Sequence, residues 1–144
     1  MNKYLLVGLL VLIIALIGGI VYISSMGKSN TNVLGSVSSF SDLSPQQFSQ
    51  DLNVGGYTLL DVRTIDEYNA GHIKGAKQED FYQTQAFSNY LDTLNKNGKY
   101  LIYCRTGIRS AKAMQLMQDK GFANVHDLVG GYNAWVSSSL PTEQ

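Results

Sequence analysis

The sequence predicts an α/β fold in which helices cover both faces of a central parallel β-sheet, preceded by one N-terminal transmembrane helix. Two short, almost uninterrupted apolar runs at 57–62 and 100–103 are typical of strands buried on both faces. Stretches with apolar residues at helical spacing alternate with them, which favours parallel strands joined by crossover helices. Residues 4–23 form a longer apolar run, which predicts the transmembrane helix.

The N-terminal run follows a short flank at 1–3. Every residue in 4–23 is apolar, aromatic or glycine, and no charge occurs between Lys3 and Lys28. A transmembrane helix needs roughly 20 such residues, whereas the apolar core of a cleavable signal peptide has only about 7 to 15. The length therefore favours a retained single-pass anchor, with a signal peptide as the alternative.

The orientation of this segment depends on a small difference in charge. Lys3 and Lys28 offset one another under the positive-inside rule, and the free α-amino group tips the balance toward a cytoplasmic N-terminus. We therefore expect a membrane-anchored protein with an extracytoplasmic domain, or a secreted or periplasmic domain if the segment is cleaved. Residues 24–36, rich in serine, asparagine and glycine, are expected to form a flexible linker.

Length and composition limit the rest of the chain to one domain. The 144 residues include one cysteine and carry no net charge, so the overall electrostatics do not favour binding of nucleic acid. A single cysteine cannot form an internal disulfide and stays a free thiol even in an oxidising compartment. We expect the domain to span residues 37–138, followed by a C-terminal tail at 139–144.

Capping signals mark the first elements of the domain. Residues 37–40 are consistent with a short strand. Ser44 can cap a helix that has Pro45 at its first position and Gln47 at its third, and we expect this helix to run through Leu52.

The strand at 57–62 leads to a second capping box at 64–67, which predicts a short helix that Gly71 closes. A longer helix is expected over 81–94, because four apolar residues recur there at helical spacing: Phe87, Tyr90, Leu91 and Leu94.

The last third of the chain repeats this alternation. A strand at 99–103 precedes the cysteine, and a helix follows that ends at Gly121 and has Ala113, Leu116 and Met117 on one face. A strand at 124–128 and a final short helix that contains Trp135 complete the pattern.

The run 104–110 combines features that stabilise a thiolate. Cys104 is expected where a strand ends and a helix begins, so its sulfur should face backbone N–H groups and the positive end of a helix dipole. Arg105 and Arg109 add full positive charges. Ligands of parallel sheets also bind beyond the carboxyl ends of the strands. An inert core cysteine is the alternative, but Gly107 and the two arginines favour a reactive thiol.

Three motifs, in this order, resemble those of rhodanese domains. Residues 57–76 contain Asp-Val-Arg, Glu-Tyr, Gly-His-Ile and Gly-Ala, and residues 104–109 resemble the six-residue active-site loop of single-domain rhodaneses. Residues 130–135, Gly-Gly-Tyr-Asn-Ala-Trp, resemble the C-terminal motif of the family. The resemblance implies a rhodanese-like fold for 37–138 and a sulfurtransferase activity.

In a sulfurtransferase of this kind, the resemblance implies that Cys104 is the catalytic nucleophile. Its thiolate takes the outer sulfur of a small anionic donor such as thiosulfate and becomes a persulfide. Cyanide or a thiol, including a protein thiol, then removes this sulfur. We expect the donor and the persulfide to be bound by the N–H groups and side chains of the loop, which are those of Arg105, Thr106, Gly107, Ile108, Arg109 and Ser110.

Charged residues near the loop are assigned separate roles. The guanidinium groups of Arg105 and Arg109 suit the sulfonate end of thiosulfate. Arg63 is expected to pair with Glu67, four residues later, and so to fix the loop between them. Asp61 has two alternative roles, as a pocket wall and as a loop anchor. His72 is expected to be structural rather than a general base.

Two other functions compete with sulfur transfer. A phosphatase or arsenate reductase needs cysteine, five residues and then arginine, whereas here Ser110 is the sixth residue after the cysteine and Arg109 comes one position early. A non-catalytic, membrane-tethered module for binding or sulfur carriage is the other candidate, although inactive modules of this kind typically lose the cysteine. The sequence has no metal-ligand cluster and no phosphate loop, so we expect neither a metal nor a cofactor.

Overall fold

The computed structural model describes residues 39–144, and these form an α/β domain. The strands are β1 (Ser39–Leu43), β2 (Tyr57–Asp61), β3 (His72–Ile73), β4 (Lys77–Gln78), β5 (Lys99–Tyr103), β6 (Asn124–Leu128) and β7 (Thr142–Glu143). The helices are α1 (Pro45–Val54), α2 (Ile65–Asn69), α3 (Thr84–Thr93), α4 (Ile108–Asp119) and α5 (Gly131–Ser137). Five strands form one parallel sheet in the order β1-β6-β5-β2-β4, and β3 pairs with β7 in a small antiparallel ladder.

Helices cover the parallel sheet on both faces, which explains the continuous apolar runs of its strands. Successive residues of a strand point to opposite faces. Leu60 packs in a core with residues of α3 and α4, whereas its neighbour Leu59 packs in a second core with Phe48 of α1 and Trp135 of α5. The predicted parallel sheet is therefore confirmed.

The two capping boxes form as predicted because they depend only on local sequence. Gln47 N–H donates to the Ser44 hydroxyl oxygen at 3.4 Å, and Ser44 N–H donates to Gln47 Oε1 at 3.1 Å. Thr64 and Glu67 form the same reciprocal pair at the start of α2. Helix α1 continues to Val54, slightly beyond the expected end.

Other element boundaries differ from the predicted ones. Helix α3 begins at Thr84 rather than at 81, because Phe81 N–H donates to Val62 O at 3.3 Å and Tyr82 N–H donates to the Asp80 carboxylate at 2.9 Å. These bonds hold the preceding residues in a turn. Within the described residues, strand β1 continues to Leu43, beyond the predicted end at 40, because it stays paired with β6 up to Leu128.

The segment expected as a tail at 139–144 contains β7. Its residues pair with β3, the Trp135 indole N–H donates to Pro141 O at 3.0 Å, and Gly75 N–H donates to the Glu143 carboxylate at 3.0 Å. These contacts close one end of the domain over Trp135.

The predicted anchor at 4–23 and the predicted linker at 24–36 lie outside the described residues. Within 39–144, none of the helices is long and apolar enough to cross a membrane. The membrane anchor therefore stays a prediction from the sequence.

Candidate active site

Cys104 directly follows β5 and lies beneath the loop that leads into α4. Its side chain is buried, and Gly107 N–H donates to its sulfur at 3.1 Å. Gly107 caps α4 in the left-handed region, with a φ of +95° that favours glycine. Burial raises the pKa of the thiol, but the Ser110 hydroxyl and the N–H groups of Ser110, Thr106 and Arg109 lower it by more, so the pKa lies below its usual value.

The loop is held from below by the start of α5. Tyr132 N–H donates to Cys104 O at 2.7 Å, and Asn133 N–H donates to Arg105 O at 3.1 Å. A side chain at Gly131 would collide with the Cys104 carbonyl oxygen, so only glycine allows this close approach. The sequence motif at 130–135 therefore supports the cysteine loop.

Arg109 and Glu67 form an ion pair at the mouth of the site. The two guanidinium NH₂ groups of Arg109 each donate to one Glu67 oxygen at 2.7 Å, and the Glu67 carboxylate also accepts bonds from Thr64. The hydrogen bonds with Arg109 lower the pKa of Glu67 to about 2, although burial opposes this. The Arg109 guanidinium lies 5.1 Å from the centre of the Tyr82 ring.

The predicted ion pair between Arg63 and Glu67 is wrong. Arg63 pairs with Asp61 instead, through Nε bonds of 2.9 and 3.0 Å, and also donates to Gly71 O at 2.8 Å. Spacing of four residues favours a pair only within a helix, and Arg63 precedes the first residue of α2. Asp61 is two residues away at the end of β2, and both side chains are buried together.

A pocket opens beside the loop that follows Cys104. Its volume is ≈ 420 Å³, and it is lined by Glu67, Tyr82, Arg105, Thr106, Ile108 and Arg109. Of the loop residues predicted from the sequence, Arg105, Thr106, Ile108 and Arg109 line this pocket, whereas Cys104, Gly107, Ser110 and Asp61 are not among its lining residues. Among residues 39–144, no three His, Cys, Asp or Glu side chains are close enough to ligate a metal ion.

Comparison with known sequences identifies the family. A sequence profile of the Rhodanese-like domain matches residues 44–138. The chain belongs to the rhodanese-like family.

Two relatives of this rhodanese-like domain are named after an enzymatic activity. Thiosulfate sulfurtransferase 16 from the chloroplast of Arabidopsis thaliana is 34% identical over 109 residues, which cover 66% of this chain and 87% of the relative. Thiosulfate sulfurtransferase GlpE from Actinobacillus pleuropneumoniae serotype 7 is 29% identical over 105 residues, covering 72% of this chain and 94% of the relative.

Solved structures show the same fold. A rhodanese-related protein from Thermoplasma volcanium superimposes with a TM-score of 0.63 at 25% identity, covering 72% of this chain and 97% of that protein. A rhodanese-like domain protein from Staphylococcus aureus superimposes with a TM-score of 0.58 at 28% identity. The match covers 66% of this chain and 90% of that protein. The rhodanese-like fold predicted for this domain is therefore confirmed.

His72 has structural contacts. Its ring stacks on Tyr68 with 3.8 Å between centroids, its Nδ1 lies 3.2 Å from Tyr68 O, and its Nε2 lies 3.5 Å from the Glu143 carboxylate. These partners belong to the β3–β7 end of the domain and do not line the pocket.

Sequence reasoning missed one residue beside the site, Asp127 on β6. Its side chain is buried, and its Oδ1 has no hydrogen-bond partner within residues 39–144. Burial raises the pKa of Asp127 to about 7. The sequence signal was an acidic residue two positions after Val125, at a place where the alternation of a buried strand requires an apolar side chain.

Proposed function

We propose that this rhodanese-like domain is a sulfurtransferase that carries sulfane sulfur on Cys104. The observation that carries the proposal is a buried sulfur at the N-terminus of α4, where the N–H groups of one loop favour its anionic form. Such a thiolate is a competent nucleophile for a two-step covalent reaction. The names of the relatives, thiosulfate sulfurtransferases, support the same chemistry.

In the first half-reaction, the Cys104 thiolate attacks the outer sulfur of thiosulfate. A new S–S bond forms, the bond between the two thiosulfate sulfurs breaks, and sulfite leaves with the electron pair. The product is a Cys104 persulfide with one negative charge on its terminal sulfur. The N–H groups that face the thiolate also suit this anion, because they are fixed before the reaction begins.

In the second half-reaction, cyanide or a thiolate attacks the terminal sulfur. The persulfide S–S bond breaks, the acceptor leaves as thiocyanate or as a persulfide, and Cys104 regains its thiolate. Arg105 is exposed at the pocket mouth and is suited to attract the anionic donor. The charge of Arg109 is partly compensated by Glu67, so we assign it the weaker contribution to donor binding.

The loop geometry favours sulfur over phosphate as the transferred group. In a phosphatase an arginine would follow the five residues after the cysteine, but Ser110 holds this position and is fully buried. Its hydroxyl donates to Gly107 O at 3.2 Å, inside the loop. A buried serine therefore replaces the arginine of a phosphatase loop, and the guanidinium groups in the pocket wall come from Arg105 and Arg109.

We further propose that residues 4–23 anchor this sulfur site at a membrane, with the domain on the extracytoplasmic side. The apolar length and the absence of charge in the sequence support this. Protease added to intact cells should digest the domain, whereas a cytoplasmic domain would be digested only after lysis.

The activity is tested with the full-length chain in detergent. Incubation with thiosulfate should add the mass of one sulfur atom at Cys104, and cyanide should then remove it as thiocyanate. Cys104→Ser should do neither. Equal thiocyanate from both proteins would contradict the proposal, and a persulfide that no acceptor discharges would indicate a non-catalytic carrier.

A further inference from the structure

The pocket beside the Cys104 loop is larger than a small inorganic anion requires. Its volume of ≈ 420 Å³ lies within the range of about 300–1,000 Å³ that is typical of sites for small organic ligands. Thiosulfate and cyanide have no hydrocarbon part, so neither can cover an apolar side chain in the pocket wall. The remaining space suits a substrate that has one.

Two large apolar side chains of the pocket wall are exposed. Tyr82 is 63% exposed and Ile108 is 66% exposed, and both line the pocket. Single exposed apolar residues are common on protein surfaces, but here two of them lie on one cavity. A ligand with an aliphatic stem would remove part of their surface from water, which favours binding in proportion to the apolar area that is covered.

Neighbouring residues hold Tyr82 at the edge of this pocket. Its N–H donates to the Asp80 carboxylate at 2.9 Å, within the turn before α3. Its ring lies 5.1 Å from the Arg109 guanidinium, which Glu67 binds through two hydrogen bonds of 2.7 Å. A wall that is fixed before binding loses little conformational entropy when the ligand arrives. Tyr82 lies outside the three family motifs, so those motifs do not specify this part of the wall.

Arg105 supplies a positive charge that no acid of the described domain compensates. Its side chain is exposed and lines the same pocket. Within residues 39–144 it takes part in no ion pair, whereas Arg109 is paired with Glu67. A guanidinium binds a carboxylate through paired, charge-assisted hydrogen bonds. The pocket therefore combines an apolar wall with one cation that is available to a ligand.

We propose that the sulfur acceptor is a low-molecular-weight organic thiol with an aliphatic stem and a carboxylate, and that Tyr82 determines this specificity. The stem contacts Tyr82 and Ile108, and the carboxylate binds Arg105. This inference rests on the proposed sulfurtransferase function. Thiosulfate and the thiol use the pocket in turn, because sulfite leaves before the acceptor binds in a two-step covalent reaction.

The transfer step to this acceptor is balanced without a further reactant. The acceptor thiolate attacks the terminal sulfur of the Cys104 persulfide, and a new S–S bond forms between them. The S–S bond to Cys104 breaks, and its electron pair stays on Cys104 as a thiolate. The acceptor leaves as an organic persulfide anion, so two negative charges are present before and after the step.

The test compares two acceptors that differ by three methylene groups, 3-mercaptopropionate and 6-mercaptohexanoate. Release of sulfite from saturating thiosulfate is measured with the full-length chain, after subtraction of the rate with Cys104→Ser. We expect kcat/KM to be about 10-fold higher for the longer thiol, because the added methylene groups become partly buried. Tyr82→Ala and Ile108→Ala should each lower this ratio about 3-fold. Ile65→Ala is the matched control, because Ile65 is also an exposed first residue of a helix but does not line the pocket.

The role of the carboxylate is tested with 6-mercaptohexanol, which has a similar stem and no charge. Arg105→Gln should lower the preference for 6-mercaptohexanoate over 6-mercaptohexanol about 5-fold, since the charge-assisted bonds to the carboxylate are lost. An unchanged preference would contradict binding of the carboxylate by Arg105.

A binding measurement separates this inference from the sulfurtransferase proposal. Hexanoate, which has no thiol, should shift the ¹³C-methyl resonances of Ile108 but not those of Ile65, and propionate should need about 10-fold higher concentrations. Equal effects of the two acids, or a ratio of the two thiols that Tyr82→Ala leaves unchanged, would overturn the inference. Sulfite release that is equal in wild type and Cys104→Ser, with the Ile108 shifts preserved, would overturn only the sulfurtransferase proposal.

Discussion

The domain contains two arginine–carboxylate pairs near the same loop, and they differ mainly in burial. The side chains of Arg63 and Asp61 are 3% and 0% exposed, whereas those of Arg109 and Glu67 are 13% and 24% exposed. Arg63 also donates to the Gly71 carbonyl oxygen, and its guanidinium lies 4.2 Å from the centre of the Tyr132 ring. Partners inside the protein therefore compensate the charge of Arg63. The Arg109 pair forms part of the pocket wall. The same kind of ion pair therefore stabilises the fold at Arg63 and Asp61, whereas at Arg109 and Glu67 it determines the charge of the pocket wall.

The largest effect should come from breaking the buried pair. Arg63→Ala leaves Asp61 as an uncompensated buried carboxylate, and we expect the free energy of unfolding to fall by about 3–5 kcal/mol. Urea denaturation followed by circular dichroism measures this loss. Arg109→Ala is the matched control, because its partner Glu67 remains partly exposed to water. This substitution should lower the free energy of unfolding by less than about 1 kcal/mol. Equal losses would show that burial does not distinguish the two pairs.

The exposed pair should instead affect donor binding. Glu67→Gln keeps the capping box with Thr64, because glutamine can replace glutamate there, but it frees the charge of Arg109. We expect the KM for thiosulfate to fall about 5-fold, equivalent to about 1 kcal/mol of added attraction for the anion. The KM for an uncharged persulfide donor should stay the same.

A charge-matched control separates this local effect from a change in net charge. Glu143→Gln removes one negative charge at the β3–β7 end, away from the pocket. It should leave both KM values unchanged. A thiosulfate KM that does not fall in Glu67→Gln would mean that Arg109 does not interact with the donor.

The contrast between the pairs also shows what the sequence can predict. The capping box of Thr64 and Glu67 was predicted correctly because its bonds join residues of one helical turn. The partner of Arg63 was not predicted correctly. It depends on where α2 begins and on Asp61, which ends β2 two residues before Arg63. Arg109 and Glu67 are far apart in the chain, and their pairing follows from the arrangement of β2 and β5 side by side.

Short elements and buried polar groups were harder to predict for the same reason. Strands β3, β4 and β7 have two residues each, and such strands are defined by their partners rather than by a periodic pattern. The sequence predicts Asp127 only as part of a strand, because the burial of its side chain follows from the packing of α4 on β6. The position of Cys104 between a strand and a helix, in contrast, was predicted correctly from adjacent residues alone, because the strand end, the glycine and the helix start are all local signals.

The smallest effect should appear when the exposed pair is titrated. The pKa of Glu67 lies at about 2 instead of its usual 4.5, so its pairing stabilises the fold above pH 4.5 and this contribution is lost as the pH falls toward 2. The difference in melting temperature between wild type and Glu67→Gln should therefore shrink over that range. Because the pair is partly exposed, the whole contribution should stay below about 1 kcal/mol. A difference that is constant from pH 7 to pH 2.5 would contradict the pairing of Glu67 with Arg109 and leave the buried pair as the only one that stabilises this loop.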